Sequence, residues 1–221
     1  PYNLSGKYFE VSTEKTMMPE IGQGIIPKPY QDPHPPIVGT AVAPFSKGVT
    51  AMAARGWDPI SANFLLPKWV ATHWPNYAEG CKQGGRSVDF KNWRVAKNIC
   101  VADDMATARA YARDPDSPYV YYYSQLLTKL RAGGRLNLFK EDQNMPDSEV
   151  TLDYVLDRLV IYGDPSSVAD QLLQFRESVG DFGHLVYAGH DWADRELGRR
   201  SMILMAEKVM PQINVAIAAA A

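Results

Sequence analysis

A histidine, an aspartate and a tryptophan stand together late in the chain, at His190, Asp191 and Trp192. They follow residues 184–188, which have the length and apolar character of a buried parallel strand. An imidazole titrates near neutral pH, so His190 could give or take a proton at the carboxyl end of that strand. Asp191 could equally cap the helix that follows. The cluster is therefore a candidate site, with His190 as its acid or base.

A second candidate is an anion-binding turn between an early strand and its helix. Residues 37–42 have the pattern of a buried strand, a loop of small residues follows, and Ser46, Lys47 and Gly48 open a helix. The free N–H groups and the dipole of a helix N-terminus favour negative charge. These three residues could hold an anion, although Ser46 could equally be an ordinary helix cap.

Two further groups of residues fall where an α/β protein places its working side chains. Asn63 lies at the carboxyl end of the predicted strand 57–64, so it could face a bound small molecule. Residues 114–147 form a long insertion, in which Tyr122 and its neighbouring tyrosines could close over an apolar pocket or simply pack on adjacent helices. The Trp and His stripe of the predicted helix 67–82 is explained by helix packing.

Strand and helix patterns alternate along most of the chain, at residues 37–55, 57–83, 93–113 and 184–210. Such alternation predicts a parallel sheet covered by helices. A closed (β/α)8 barrel needs eight units and about 250 residues, so these four units do not complete one. Residues 1–35, rich in Pro and Gly, predict an extended arm with an edge strand at 5–11.

Capping residues predict several helix boundaries. Asp164 and Pro165 should begin a helix that Gly180 ends, and Asp103 or Asp104 should cap another. Pro211 should end the closing helix, because proline cannot donate the next backbone hydrogen bond.

The composition bears on the class of partner and on location. The 221 residues are 46% hydrophobic, enough for one substantial core, and the formal net charge is −2. We predict neither nucleic acid nor a membrane as partner, because no basic cluster and no run of about 18 apolar residues is present. Cys81 and Cys100 are the only cysteines, so we expect no disulfide framework, no metal site and a cytoplasmic protein.

Four short motifs follow one another along the chain: the Pro-rich run at 27–36, Gly-Asp-Pro at 163–165, Gly-His-Asp-Trp at 189–192 and Val-Met-Pro at 209–211. Together they resemble bacterial-luciferase-like, flavin-dependent monooxygenases. The resemblance covers essentially the whole chain but only the carboxyl-terminal portion of that family, barrel strands five to eight. It implies an α/β fold, a partial (β/α)8 TIM barrel, and we expect the chain to be a fragment of a longer enzyme.

The resemblance also implies a reaction and its site residues. Reduced FMN, delivered by a separate flavin reductase, would react with O2 to oxygenate a small apolar organic substrate. Expected FMN contacts lie at the end of the first strand and the start of its helix: Thr40, Ala41, Ser46, Lys47 and Gly48. Expected substrate contacts are Asn63, Tyr122 and Trp192. His190 is the catalytic candidate, residues 114–147 the lid, and a homodimer the expected state of the full-length protein.

Two alternatives stay open. A non-catalytic relative would bind flavin without turnover. A deazaflavin (F420)-dependent oxidoreductase on the same fold would transfer hydride and consume no O2.

Overall fold

The computed structural model describes residues 2–25, 27–32, 34–190 and 193–219. The chain divides into two compact units, Pro1–Pro36 and Ile37–Ala221. By sequence position, every candidate site residue belongs to the second unit.

The first unit is built on an antiparallel hairpin of β1 (Asn3–Ser5) and β2 (Glu10–Ser12). The N–H of Gly6 donates to the carbonyl of Phe9 at 2.9 Å and forms the turn. The prediction of one continuous edge strand over residues 5–11 is therefore wrong, because this turn falls inside it.

The second unit alternates strands and helices. Its strands are β3 (Val38–Ala41), β4 (Asp58–Ser61), β5 (Arg94–Val101), β6 (Val160–Gly163) and β7 (His184–Tyr187). Its helices are α1 (Lys47–Ala54), α2 (Pro67–Ala71), α3 (His73–Gln83), α4 (Met105–Arg113), α5 (Pro118–Ala132), α6 (Leu152–Leu159), α7 (Pro165–Val179), α8 (Arg195–Leu204) and α9 (Met210–Ala219).

These strands form one five-stranded parallel sheet, as the alternation predicted. β3 pairs with β4, and β4 pairs with the start of β5. β7 pairs with residues 94–97 of β5, and β6 pairs with residues 98–101. The second half of β5 therefore extends beyond the ends of β4 and β7 at the carboxyl edge of the sheet.

Alternate side chains of β5 point into two different layers. Ile99 and Val101 pack with residues of α7 and α9, whereas Cys100 packs with residues of α5 and α6. A parallel strand covered on both faces is expected to be apolar throughout. Lys97 and Asn98 depart from that expectation, because both are polar and buried in the middle of the strand.

The predicted helix caps are confirmed. The carboxylate of Asp164 accepts an N–H bond of 2.9 Å, Pro165 is the first residue of α7, and Gly180 ends that helix with a φ of +94°. Asp104, rather than Asp103, caps α4 through an N–H bond of 2.8 Å.

Several elements differ from the prediction. The helix expected at 67–82 is divided at Thr72 into α2 and α3, and β6 was not predicted because four residues carry little pattern. The run at 184–188 was expected to be an interior strand. In the part of the chain that the structure describes, β7 pairs only with β5, so it is an edge strand and its residues are half-buried or exposed.

The closing helix does not end at Pro211. A π-helical turn, Met205–Val209, joins α8 to α9, and Pro211 lies in the first turn of α9. A π-helical turn changes the backbone hydrogen-bond pattern locally, so the ring and missing N–H of proline are tolerated.

This helical run, Arg195–Ala219, is long and apolar enough to cross a membrane by length and composition, with a mean hydropathy of 1.3 in its most apolar window. Within that window 22% of the residues are buried. Leu204, Val209 and Ile213 pack into the core beside β5 and α7, so core packing accounts for part of the apolar character.

Candidate functional site

Three side chains meet where β4 and β7 end beside β5. Asn63 lies two residues beyond β4, Asn98 is the first residue of β5 beyond its pairing with β7, and His190 lies three residues beyond β7. The carboxamide oxygen of Asn98 lies 2.9 Å from Nδ2 of Asn63 and 3.1 Å from Nε2 of His190. Because Asn98 is fully buried and the other two are partly exposed, its amide forms the floor of this cluster.

Two tyrosines of α5 complete what we call the polar cluster, which comprises Asn63, Asn98, Tyr122, Tyr123 and His190. Nδ2 of Asn98 donates to the hydroxyl of Tyr123 at 2.7 Å, and the hydroxyl of Tyr122 donates to Oδ1 of Asn63 at 3.3 Å. The insertion therefore contributes polar groups to the strand ends as well as apolar surface.

Aromatic rings hold the imidazole of His190 from two sides. The ring of Tyr122 lies 4.7 Å from it, and the ring of Tyr119 contacts it edge-on at 5.6 Å. Burial raises the pKa of Tyr119, Tyr122 and Tyr123 above the ordinary value, because a phenolate would be poorly solvated there. These tyrosines therefore keep their hydroxyl hydrogens at neutral pH.

The loop after β3, residues 43–46, is held by three polar side chains of the α2–α3 segment: Thr72, His73 and Asn76. The hydroxyl of Thr72 accepts the N–H of Phe45 at 2.9 Å. Nε2 of His73 lies 2.9 Å from the carbonyl of Ala43, and the amide of Asn76 donates to the carbonyl of Ser46 at 3.2 Å. Phe45 has a φ of +52°, a left-handed conformation that is costly for an aromatic residue. The surrounding bonds hold the loop in this strained shape.

The predicted anion-binding residues lie at the start of α1. Ser46 occupies the N-cap position in an extended conformation, yet its side chain makes no hydrogen bond to the helix. A Cβ on Gly48 would lie 3.2 Å from Oγ of Ser46, so the glycine leaves room beside that hydroxyl. Lys47 is exposed at the first helical position, where a cation opposes the helix dipole. An anion bound here would relieve that opposition.

Thr40 and Ala41 end β3 at the same edge of the sheet as the polar cluster. Ala41 pairs with Ser61 of β4, and its carbonyl accepts the N–H of Ala62 at 3.0 Å. Asn63 is the next residue. The strand end expected to contact the flavin ring therefore lies beside the strand end that carries the cluster.

A buried serine and histidine beneath this edge form a structural brace. Oγ of Ser61 lies 2.8 Å from Nδ1 of His73 and accepts the indole N–H of Trp93 at 2.9 Å. The carbonyl of Ala43 can only accept, so Nε2 of His73 donates to it and Nδ1 accepts from Ser61. Ser61, His73 and Trp93 are fully buried, and burial lowers the pKa of His73, so the ring stays neutral.

A groove of about 560 Å³ lies beside Tyr111, between α4 and the start of α8. Its lining includes the carboxylates of Asp114, Asp116 and Asp194. Acidic side chains repel an anionic phosphate, so the start of α1 suits a phosphate better.

The structure brings together three of the predicted site residues, Asn63, Tyr122 and His190. It places Thr40, Ala41, Ser46, Lys47 and Gly48 around the end of the neighbouring strand. Asp191 and Trp192 lie outside the described residues. The sequence reasoning missed Asn98 and Tyr123. A signal for Asn98 was present, since a carboxamide inside a buried apolar strand must find hydrogen-bond partners.

Residues 3–181 match the luciferase-like monooxygenase family. The chain belongs to this family. The chain is similar to 4-hydroxyprotoasukamycin monooxygenase of Streptomyces nodosus subsp. asukaensis, with 29% identity over 187 residues, which are 81% of this chain and 47% of that protein. The 3,6-diketocamphane 1,6-monooxygenase of Pseudomonas putida is 22% identical over 219 residues, 96% of this chain and 57% of that protein. The chain spans about half the length of the curated relatives it matches.

Two solved structures show the same fold. The oxygenating constituent of 3,6-diketocamphane monooxygenase, a type II Baeyer-Villiger monooxygenase solved with FMN, superposes with a TM-score of 0.77 at 22% identity and covers 96% of this chain and 58% of that chain. An F420-dependent secondary alcohol dehydrogenase superposes with a TM-score of 0.52 at 18% identity, over 96% and 56%. The predicted fold class, part of a luciferase-like TIM barrel, is confirmed.

Proposed function

We propose that this chain forms the FMN-binding, carboxyl-terminal part of a monooxygenase that uses reduced flavin and O2 to oxygenate a small apolar organic substrate. The observation that carries the proposal is the polar cluster, which gathers Asn63, Tyr122 and His190 at the carboxyl ends of parallel strands. Enzymes built on parallel α/β barrels carry their chemistry at this end. The family match supports the same class of reaction.

The start of α1 fits the phosphate of FMN. It offers first-turn N–H groups, the hydroxyl of Ser46, the positive charge of Lys47 and the open space at Gly48. Thr40 and Ala41 would contact the flavin ring, since they end the strand next to the cluster. Bound reduced FMN would supply the electrons that activate O2.

The side chains of the cluster would then position the substrate and exclude water. Tyr122 and Asn63 present a hydroxyl and a carboxamide that are already hydrogen-bonded to each other, so little reordering is needed on binding. His190 would hold or take a proton, and Trp192 would add apolar surface for the substrate. Residues 114–147 would act as the lid, a separate flavin reductase would deliver the cofactor, and the full-length protein would be a cytoplasmic homodimer.

FMN binding tests the cofactor assignment most directly. The full chain is titrated with FMN and with riboflavin, which lacks the phosphate, and flavin fluorescence is followed. We expect Lys47→Glu to weaken FMN binding by about tenfold or more and to leave riboflavin binding unchanged. Lys82→Glu changes the net charge equally and is the matched control. The exposed side chain of Lys82 lies in the last turn of α3, whereas the start of α3 is the end that contacts the loop before α1.

Two results would contradict the assignment: equal affinity for FMN and riboflavin, or equal effects of the two substitutions. Tight binding of F420 with no binding of FMN would instead favour the deazaflavin-dependent alternative.

Turnover is measured as O2 consumption with a flavin reductase and a panel of cyclic ketones, terpenes and aldehydes. Substrate-dependent consumption with one oxygen atom in the product supports the monooxygenase. FMN binding without any turnover would identify a flavin-binding relative that lacks catalysis.

A further inference from the structure

A single backbone carbonyl sets the direction of the hydrogen bonds that Asn98 makes in the polar cluster. The hydroxyl of Tyr123 lies 3.4 Å from the carbonyl oxygen of Leu159 and 2.7 Å from Nδ2 of Asn98. A carbonyl oxygen can only accept, so Tyr123 gives its one hydrogen to Leu159. Burial raises the pKa of Tyr123 well above its ordinary value, so that hydrogen is always present.

The orientation of the Asn98 amide follows from this step. With its hydrogen committed to Leu159, the Tyr123 oxygen must accept from Asn98, and only the amide nitrogen of Asn98 can donate. The nitrogen therefore faces Tyr123, and the carboxamide oxygen faces Asn63 and His190. Both Asn98 and Tyr123 are fully buried, so no exchange with bulk water relaxes this arrangement.

The proton position on His190 follows in turn. The carboxamide oxygen of Asn98 has no hydrogen to give, so Nε2 of His190, 3.1 Å away, must be the donor. The other tautomer would place a nitrogen lone pair against an oxygen lone pair. We propose that Asn98 is a positioning residue that keeps the proton of neutral His190 on Nε2, so that any proton the neutral ring takes up enters at Nδ1.

This inference rests on the proposed function for its role in the reaction. A proton taken up at Nδ1 would turn the ring into an imidazolium and leave the donor group as its conjugate base. The Nε2–H bond to Asn98 is unchanged by that transfer, so the ring need not rotate. The rings of Tyr122 and Tyr119 hold its plane throughout.

Nitrogen NMR of the full chain labelled with 15N-histidine tests the tautomer without flavin or substrate. The chain has 4 histidines, and His190→Gln assigns the signals of His190. Spectra are recorded in the pH range in which the ring-nitrogen shifts no longer change with pH, so that only the neutral ring is observed. We expect Nε2 to carry the proton and Nδ1 to have the shift of an unprotonated nitrogen. His73, braced as an Nε2–H tautomer between Ser61 and Ala43, is an internal reference.

Three variants separate the proposal from simple packing. Asn98→Leu removes the acceptor and should lower the ratio of Nε2–H to Nδ1–H about tenfold. Tyr123→Phe keeps Asn98, the residue that is hydrogen-bonded to His190, but removes the hydroxyl that orients the Asn98 amide. The ratio should therefore fall in this variant too. Tyr122→Phe removes a hydroxyl of the same α5 turn but keeps the ring against His190, so the ratio should be unchanged.

An Nδ1–H tautomer in the wild-type chain would overturn the proposal, because it would mean that the Asn98 amide is reversed. An unchanged ratio in Tyr123→Phe would also overturn it, even if Asn98→Leu fails to fold. The tautomer is measured without cofactor. If the wild-type chain does not bind FMN, only the proposed function is refuted. The tautomer result refutes this inference alone.

Discussion

Replacing His73 by glutamine should remove a pH dependence from the stability of the chain. His73 is fully buried, hydrogen-bonded to Ser61 and Ala43, and its pKa is lowered because burial disfavours the imidazolium. In the unfolded chain the same ring has the ordinary pKa of ~6.5. The unfolded state therefore binds a proton more readily than the folded state.

The sign and size of the effect follow from linkage. The contribution of His73 is fully present above pH ~6.5 and is lost as pH falls toward the folded pKa, because protons then favour unfolding. At about pH 5.5, one unit below the unfolded value, the free energy of unfolding should have dropped by up to about 1.4 kcal/mol relative to pH 7.5. Glutamine can donate to Ala43 but does not titrate, so its chain should lack this loss.

The assay is urea denaturation of both chains at about pH 7.5 and 5.5, followed by tryptophan fluorescence. Trp93 reports on this region because it donates to Ser61 and stacks on Trp74 at 5.7 Å. All other titrating groups are shared, so the difference between the two chains isolates His73. A difference that is the same at both pH values, or a wild type relatively more stable at the lower one, would refute the reasoning.

Three further substitutions, each followed by urea denaturation, test an ion pair, a buried lysine and a helix cap elsewhere in the fold. Arg86→Ala removes a half-buried guanidinium that is hydrogen-bonded to Asp58 at 2.9 Å, and it should lower the free energy of unfolding by about 1–3 kcal/mol. Arg86→Lys should lower it less. Equal losses in the two variants would contradict a role for the guanidinium fork. Burial lowers the pKa of Lys97 to about 8, so the folded chain bears the cost of a buried charge below that pH. Lys97→Met should be more stable than wild type at pH 7 by roughly 1–3 kcal/mol, an advantage that disappears as pH rises toward ~10.4, and a less stable variant at pH 7 would disprove this. Asp164→Ala should lose about 1 kcal/mol with the cap on Ser167, while Asp164→Asn, which can still cap, should retain most of it; an Asn variant as unstable as Ala would count against capping.

Local signals explain which parts of the fold were predicted well. Asp104, Asp164 and Pro165 begin helices, and Gly180 ends one, as their chemistry requires. Each acts on backbone groups within a few residues, so no distant contact is needed to produce its effect. The alternation of strand and helix patterns likewise predicted a parallel sheet, because each pattern reflects which faces of one segment are buried.

The missed elements depend on neighbours. The predicted helix stop at Pro211 was wrong, because a π-helical turn before it and core contacts at Val209 and Ile213 keep the helix going. The interior character expected for residues 184–188 depends on a second neighbouring strand. In the described part of the sheet β7 has one neighbour, β5.

The site shows the same division. Sequence position alone selected Asn63 and His190, since each follows the carboxyl end of a strand. It did not reveal that both donate to one oxygen, which belongs to Asn98, 35 residues from the first and 92 from the second. The pairing of β5 with β4 and β7 decides that juxtaposition.

By itself, then, the sequence determined the class of fold, the family, the helix boundaries that caps define and the residue types available for chemistry. Only the tertiary structure decided which donor faces which acceptor. A hydrogen bond has a direction that its partners must share, and in the polar cluster that direction begins at the carbonyl of Leu159 and reaches His190 through Tyr123 and Asn98. These groups lie far apart in sequence, so their order exists only once the sheet and α5 have packed together.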